Sequence, residues 1–373
     1  MRILMVAAAN SLQGGGEKHV ADLITELAKR GYAVALVAPD GGDLKRIADD
    51  ADVRYYPAPI ASGYSSARVK AVRKAIEDFE PDIVHAHGHR AAMFARLADS
   101  QASRRVVYTL HGIHVGRGML APIKKAIERR LYSRTAYFVV TCRADQELGR
   151  ELRILDASRC RVVYNGIKDA VYQGEEGSFR KEFGLTAEDV LMLHVGRLNP
   201  QKDQKTLIDA IASIKQPAGY DFKLVMICPG EAEARREMQS YVDSKTYAGK
   251  IEILPGRPSL ARAYADSDIF TLSSVGEGTP YSVLEAMQGG CAVVSTAVGG
   301  VVEAVEEGSS GLLVPPKSPS RLGERLNELV HEKARCREFG MRGARIVGER
   351  YTLSAMVDQL VEVYESVTLI TRV

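Results

Sequence analysis

Cysteine pairs are missing from this chain. Its five thiols (Cys142, Cys160, Cys228, Cys291 and Cys336) are widely scattered and odd in number, with no C-x-x-C spacing among them. That pattern argues for reduced thiols in a cytoplasmic setting, with neither a disulfide framework nor a zinc site. Uncharged apolar runs near 18 residues are also lacking, so no segment is expected to span a membrane. The apolar stretch Met1–Ala9 is at the short limit for a signal peptide. A triple glycine and an amphipathic pattern follow it at once, and it reads as the buried first strand of a parallel sheet. There is no low-complexity segment and no short repeat.

What is present is an alternation. Short β-rich apolar runs at Ile3–Ala8, Ala33–Ala38, 83–87, Val106–Leu110 and 138–141 are separated by helical patterns in the first half. Between the first two, Val20, Leu23, Ile24, Leu27 and Ala28 recur at helical spacing and Gly31 ends the helix. Runs at Leu191–Val195, 223–227, 252–254, Ile269–Leu272, 292–295 and 312–314 repeat the scheme in the second half, around helices such as 205–214. Alternating units with buried strands imply parallel sheets covered on both faces. A length of 373 residues suits two such domains. The fold class expected is therefore α/β, two Rossmann-like doubly wound parallel-sheet domains. The first should cover residues 1–170 and the second 171–350, with a polar, glycine-rich linker at Gln173–Ser178. Residues 351–373 form a last helix with an apolar stripe of Leu353, Met356, Val357, Leu360, Val361 and Tyr364.

Charge is uneven. Residues 1–175 hold 27 Lys/Arg against 20 Asp/Glu, and residues 176–373 hold 23 against 27. From Arg104 to Arg134 there are eight basic residues and one acid, Glu128. No aromatic-studded basic strand accompanies them, so a nucleic acid is not the expected partner. An anionic membrane surface fits better. Leu120, Ile123, Ile127 and Leu131 would make one apolar face of a helix there, with Lys124, Lys125, Arg129, Arg130 and Arg134 around it. The same four apolar residues would equally suit the domain core.

Several residues could do chemistry. Glu277 and Glu285 flank the loop Gly278-Thr279-Pro280 and the start of a helix, and a helix N-terminus is a ready phosphate site. Taken alone, that spacing reads as a loop–helix joint with two solvated acids. Arg197 and Lys202 follow a strand directly, and a fork-shaped guanidinium beside a compact ammonium can neutralise a diphosphate without a divalent ion. Asp266-Ser267-Asp268 matches a metal-binding Asp-x-Asp, but it precedes a strand, where Asp commonly turns the chain. His85, His87 and His89 alternate, which on a continuing strand would put three imidazoles on one side. No nearby carboxylate or cysteine completes a metal shell for them. Gly15 and Gly16 precede the first helix, where close backbone approach calls for glycine. A dinucleotide fingerprint is excluded, since its third glycine would fall on His19.

The order of these motifs resembles one family. Gly14-Gly15-Gly16-Glu17, Asp82–Gly88, Thr109-Leu110-His111-Gly112, Asn165-Gly166, Gly196–Lys202, Gly276–Met287, Gly299–Glu303 and Gly311–Pro315 follow one another over nearly the whole chain. Together they are similar to the retaining glycosyltransferases of family four, which use nucleotide-sugar donors. The resemblance implies a GT-B fold, two domains facing across a cleft, with the last helix crossing back to the first. It implies that Glu277 lies nearest the anomeric carbon, accepting from the sugar 3- and 4-hydroxyls or stabilising an oxocarbenium-like transition state. His111 would meet the donor sugar or steady the leaving group. Arg197, Lys202, Gly278, Thr279 and Pro280 would hold the diphosphate, and Glu285 the ribose hydroxyls. Gly15, Gly16, Lys18, His87 and Asn165 would line the donor and acceptor cleft, with Gly256 and Arg257 in the nucleobase loop. Some positions depart from the pattern: Lys168 stands where Asp is usual, Asp203 where Gly is common, Cys228–Glu231 replaces a more glycine-rich turn, and the usual acid near Lys317 is missing.

The function implied is transfer of a hexose or N-acetylhexosamine, with retention, from a nucleotide diphosphate (UDP foremost) to a lipid-linked or envelope-glycan acceptor. It would take place on the inner face of the cell membrane, with no metal and no cofactor. The alternatives are a nucleotide-sugar epimerase of the same build, a transferase acting on a small soluble acceptor, and a catalytically silent partner subunit.

Overall fold

The computed structural model of the chain describes residues 1–12, 14–113, 121–169 and 175–372. It contains two compact units, one formed by Met1–Gly166 with Leu353–Val373 and the other by Ile167–Thr352.

Unit 1 is built on seven parallel strands: β1 Arg2–Ala7, β2 Ala33–Ala38, β3 Arg54–Pro57, β4 Ile83–His87, β5 Val106–Leu110, β6 Tyr137–Val140 and β7 Cys160–Val162. Their order is β3-β2-β1-β4-β5-β6-β7. β1, β4 and β5 lie inside the sheet and are buried on both faces, which is why β1 runs apolar after Arg2 and why β4 buries even its alternating His85 and His87. One face packs Val72, Phe79, Phe94 and Phe138. The other packs Leu23, Ile24 and Leu27 of the helix Gly15–Lys29 together with the last helix, Leu353–Arg372. Met356, Val357, Leu360 and Tyr364 of that helix are buried there, whereas Val361 is only partly covered.

Unit 2 has six parallel strands: β8 Val190–Val195, β9 Phe222–Ile227, β10 Ile251–Leu254, β11 Ile269–Leu272, β12 Ala292–Thr296 and β13 Gly311–Val314, in the order β10-β9-β8-β11-β12-β13. In each unit the first strand sits centrally, with the second and third on one side and the fourth and later ones on the other. This is the doubly wound Rossmann order, and ligands in such sheets bind beyond the strand carboxyl ends where the order reverses. The reversal lies between β1 and β4 in unit 1 and between β8 and β11 in unit 2.

Candidate functional site

The reversal point of unit 2 gathers the charged residues. β8 is fully buried and ends at Val195; Gly196 and Arg197 follow, and Lys202 lies in the loop before the helix Gln204–Ala210. Beyond β11 the chain continues through Ser273 to Glu277. Hydrogen bonds join the two loops: Gln201 Nε2 donates to the Gly276 carbonyl (2.7 Å), Val275 N–H to the Gln201 carbonyl (2.8 Å), and Ser273 Oγ–H to the Lys202 carbonyl (3.0 Å). Across that seam Lys202 Nζ meets Glu277 Oε1 at 2.6 Å, the two side chains being 18% and 9% exposed. Gly299, with φ +48, lies so close behind that a Cβ would sit 1.7 Å from the Glu277 carbonyl oxygen. Only glycine fits there.

The remaining residues of the motif take graded positions. Arg197 is exposed, and its guanidinium meets no acceptor among the described residues; its carbonyl accepts from Gln204 Nε2 at 2.8 Å. The Gly278 carbonyl accepts from Gly300 N–H at 3.0 Å, Thr279 is buried, and Pro280 is the N-cap of the helix Tyr281–Gln288. Glu285 is half-buried, its Oε2 accepting from Tyr264 O–H at 3.1 Å. Gly256 packs on Pro229, while the Arg257 fork is committed to Glu182 at 2.9 and 2.6 Å and lies over the Phe179 ring. Arg257 thus braces its loop, and a nucleobase would have to compete with Glu182 for it.

Asp266 and Asp268 act as turn residues. Asp266 accepts from Gly177 N–H and Phe179 N–H at 3.0 and 2.9 Å. Asp268 accepts from Leu191 N–H at 2.8 Å and pairs with Arg180 at 2.5 Å. Their oxygens anchor the entry to unit 2 and the start of β8.

Beneath the Lys202 loop lies His194, fully buried, donating from Nδ1 to the Thr271 carbonyl at 3.0 Å. Burial pulls its imidazole down to about 4 from 6.5; the bond to Thr271 opposes this and does not offset it. With the folded-state value lowered, its contribution to stability is complete above about pH 6.5 and drains away as the pH falls toward 4. The loss is on the order of 3 kcal/mol for this residue. Urea unfolding from pH 7 to 4 should show that decline, and His194→Gln should make it shallower by that amount, the other buried histidines keeping the rest. An equal slope in both proteins would remove His194 as the cause.

Unit 1 offers a cluster of imidazoles at its own reversal point. His85, inside β4, is a core residue bonded to Tyr364 Oη and Thr109 Oγ1, each at 2.6 Å. His87 ends β4, and its Nδ1 stands 3.2 Å from His111 Nε2 just beyond β5. The strand does not continue to His89, so the condition for three imidazoles in a row is not met. The chain turns at Gly88, with φ +79, into the helix Gly88–Ala98, and His89 hydrogen-bonds Glu128, which also pairs with buried Arg96 at 2.9 Å. Gly16, at the start of the helix Gly15–Lys29, leaves a Cβ position only 3.3 Å from His111 Cδ2. Gly15 is exposed and Lys18 half-buried on that first turn. Asn165 Oδ1 accepts from His19 Nδ1 at 3.0 Å. His19 itself was not foreseen as a site residue, although its place one turn beyond Gly16 was the available signal. Burial holds His19 down to about 4 and pushes His85, His87 and His111 well below the ordinary histidine value, so all four are neutral at pH 7.

Residues 13–171 match the model described as Glycosyltransferase Family 4, and residues 175–345 the one described as Glycosyl transferases group 1. The chain belongs to this family of GT-B glycosyltransferases. It is 26% identical to the alpha-maltose-1-phosphate synthase of Mycolicibacterium smegmatis, over 99% of this chain and 100% of the relative. It is also 26% identical to the D-inositol 3-phosphate glycosyltransferase of Saccharomonospora viridis, over 94% and 89%. Among solved structures, HepE of Anabaena in complex with UDP superposes with a TM-score of 0.83 at 21% identity, over 98% of this chain and 100% of that one.

Proposed function

We propose that the protein is a retaining, metal-independent transferase that moves a hexose or N-acetylhexosamine from UDP to a lipid-linked or envelope-glycan acceptor at the inner membrane face. The observation that carries this reading is the Lys202–Glu277 pair at the reversal point of unit 2, with exposed Arg197 beside it in sequence. Lys202 and Arg197 supply the charge that a departing diphosphate requires, and Glu277 the carboxylate for the sugar. Glu285, steadied by Tyr264, takes the ribose hydroxyls, and Thr279 and Pro280 bring the start of the helix Tyr281–Gln288 toward the phosphates. The residues Gly15, Gly16, Lys18, His87, His111 and Asn165 of unit 1 serve the acceptor and the transferred sugar. UDP as the carrier is supported by HepE, which has been solved with UDP and with UDP-glucose.

The membrane part of the reading rests on the basic segment, with a revised picture of its helix, Ala121–Leu131. Its expected apolar face is divided: Leu131 is buried, Ile127 half-buried and Ile123 58% exposed, while Leu120 lies outside the described residues. Arg129 is tied to the Leu152 carbonyl and Arg134 to the carbonyls of Arg96 and Asp99. Glu128 turns inward to Arg96, which is why this helix is not a clean amphipath. Ile123, Lys125 and Arg130 remain for a headgroup layer. No helix among the described residues is long and apolar enough to cross a membrane.

The test is UDP release from a panel of UDP-sugars in EDTA, with and without an extract of envelope lipids. UDP should appear only with the acceptor, and EDTA should not stop it. Epimerised sugar without acceptor would replace this reading with the epimerase, and loss in EDTA restored by Mn²⁺ would end the metal-independent part. Co-sedimentation with phosphatidylglycerol vesicles should weaken roughly tenfold or more in Ile123→Ser/Lys125→Gln/Arg130→Gln. Equal sedimentation would leave a small soluble acceptor, the kind that the D-inositol 3-phosphate relative is named for.

A further inference from the structure

Three elements of unit 1 deliver one imidazole each to a single point. His19 comes from the helix Gly15–Lys29, His87 from the end of β4 and His111 from the residue after β5. One ring nitrogen of each lies within 4.8 Å of the other two. A zinc ion bound by imidazole at about 2.0–2.1 Å in a tetrahedron separates its ligand nitrogens by roughly 3.3 Å. The 3.2 Å between His87 Nδ1 and His111 Nε2, a hydrogen bond in the ion-free chain, is close to that edge, and an ion would take the place of the shared proton. The other two edges need to close by about 1.5 Å at most, which is within reach of small ring rotations.

The hydrogen bonding around the cluster points the same way. His19 donates from Nδ1 to the Asn165 side-chain oxygen, which fixes its tautomer and leaves the lone pair on Nε2. That nitrogen is buried and has no hydrogen-bond partner. A ring oriented through one nitrogen by an amide oxygen, with the other nitrogen bare, is the outer-shell arrangement of metal-binding histidines. His85 lies against His87 at 4.1 Å between ring centres, the rings tilted by 41°, but both its nitrogens are taken by Tyr364 and Thr109, so it is no fourth ligand. Asp22, buried one turn beyond His19 on the same helix, adds negative charge beside the cluster. His111 is only half-buried, which gives an ion a way in.

We propose that His19, His87 and His111 bind a borderline divalent transition ion, Zn²⁺ being the best match, with a fourth position left for water or an oxygen ligand. An all-imidazole set disfavours Mg²⁺ and Ca²⁺, which take oxygen. This ion belongs to unit 1 and is not the counter-ion of the donor diphosphate, whose cations are Arg197 and Lys202 of unit 2. His87 and His111 are the residues assigned above to the acceptor and the transferred sugar, so the ion would sit at that place in unit 1; its binding is read without any transfer assay.

The experiment uses the full chain, stripped with chelator, dialysed and titrated with Co²⁺ at pH 7. Tetrahedral Co²⁺ gives an intense visible band, whereas six-coordinate Co²⁺ on surface carboxylates gives a faint one. A single equivalent should raise the intense band and a single equivalent of Zn²⁺ should bleach it. His19→Gln and His87→Asn should each abolish it, while His331→Gln, at an exposed histidine elsewhere, should leave it intact. In parallel, Zn²⁺ but not Mg²⁺ should raise the melting temperature of the unaltered protein, a readout that does not depend on any variant folding. A faint band alone, an intense band that survives in His19→Gln, or no shift of melting temperature with Zn²⁺ would each overturn the proposal.

Discussion

Glu277→Ala is expected to lower kcat by about 10²–10³-fold while leaving UDP binding unchanged or slightly tighter. The first half follows from the role proposed for the carboxylate, which acts on the sugar and the charge that develops there, so its loss is felt in the transition state. The second half comes from the ion pair. In the ligand-free chain Lys202 is bonded to Glu277 at 2.6 Å, so an incoming diphosphate must draw the ammonium away from a carboxylate. Removing the carboxylate removes that competitor. Glu285→Ala should do the reverse, weakening UDP with a smaller effect on kcat, since Glu285, held by Tyr264, is the carboxylate proposed for the ribose and not for the sugar. Steady-state kinetics with a UDP-sugar, set against calorimetric titration with UDP, separate the two. Weakened UDP binding by Glu277→Ala at unchanged kcat would move this residue to the nucleotide.

Much of this architecture could be read from residues because parallel strands buried on both faces leave an unbroken apolar signature. β2 carries it throughout and β1, β5, β8, β9 and β11 nearly so, whereas β4 alternates its apolar residues with His85 and His87. β3 and β7 were missed for a physical reason. Arg54-Tyr55-Tyr56-Pro57 is an edge strand, half-solvated and ending in a proline that a central ladder would not tolerate. Cys160-Arg161-Val162, on the opposite edge, is three residues long. At the candidate site, the charges at Arg197, Lys202, Glu277 and Glu285 were legible because each stands at a strand end or helix start that local pattern reveals. The Lys202–Glu277 bond was not, because two loops 75 residues apart meet only when β8 pairs with β11. His19 was hidden for the same reason: within its helix it is one more inward-facing position, and only the strand order brings His87 and His111 to it. His89 falls outside the row because alternation in sequence implies one face only while the strand lasts, and the strand stops at His87.

Lys202→Ala should separate stability from donor binding. Truncating the lysine leaves the Glu277 carboxylate, 9% exposed, without its cation. A fully buried pair broken in this way costs about 3–5 kcal/mol; with Lys202 itself reaching solvent, about 2–3 kcal/mol is expected for unit 2. Neutralising the orphan in the double variant Lys202→Ala/Glu277→Gln should recover most of that, because an amide in the same place carries no uncompensated charge. UDP affinity should follow another course. The single variant loses a charge-assisted bond to the diphosphate and should bind about 10–100-fold more weakly. The double variant, which restores no cation, should bind no better. Urea midpoints and UDP titrations on the unaltered chain, both single variants and the double variant close the cycle, and contact between the two residues makes their effects non-additive in stability. If the double variant regained UDP affinity together with stability, Lys202 would be a brace for Glu277 alone. The diphosphate would then have to be held by Arg197 and the start of the helix Tyr281–Gln288.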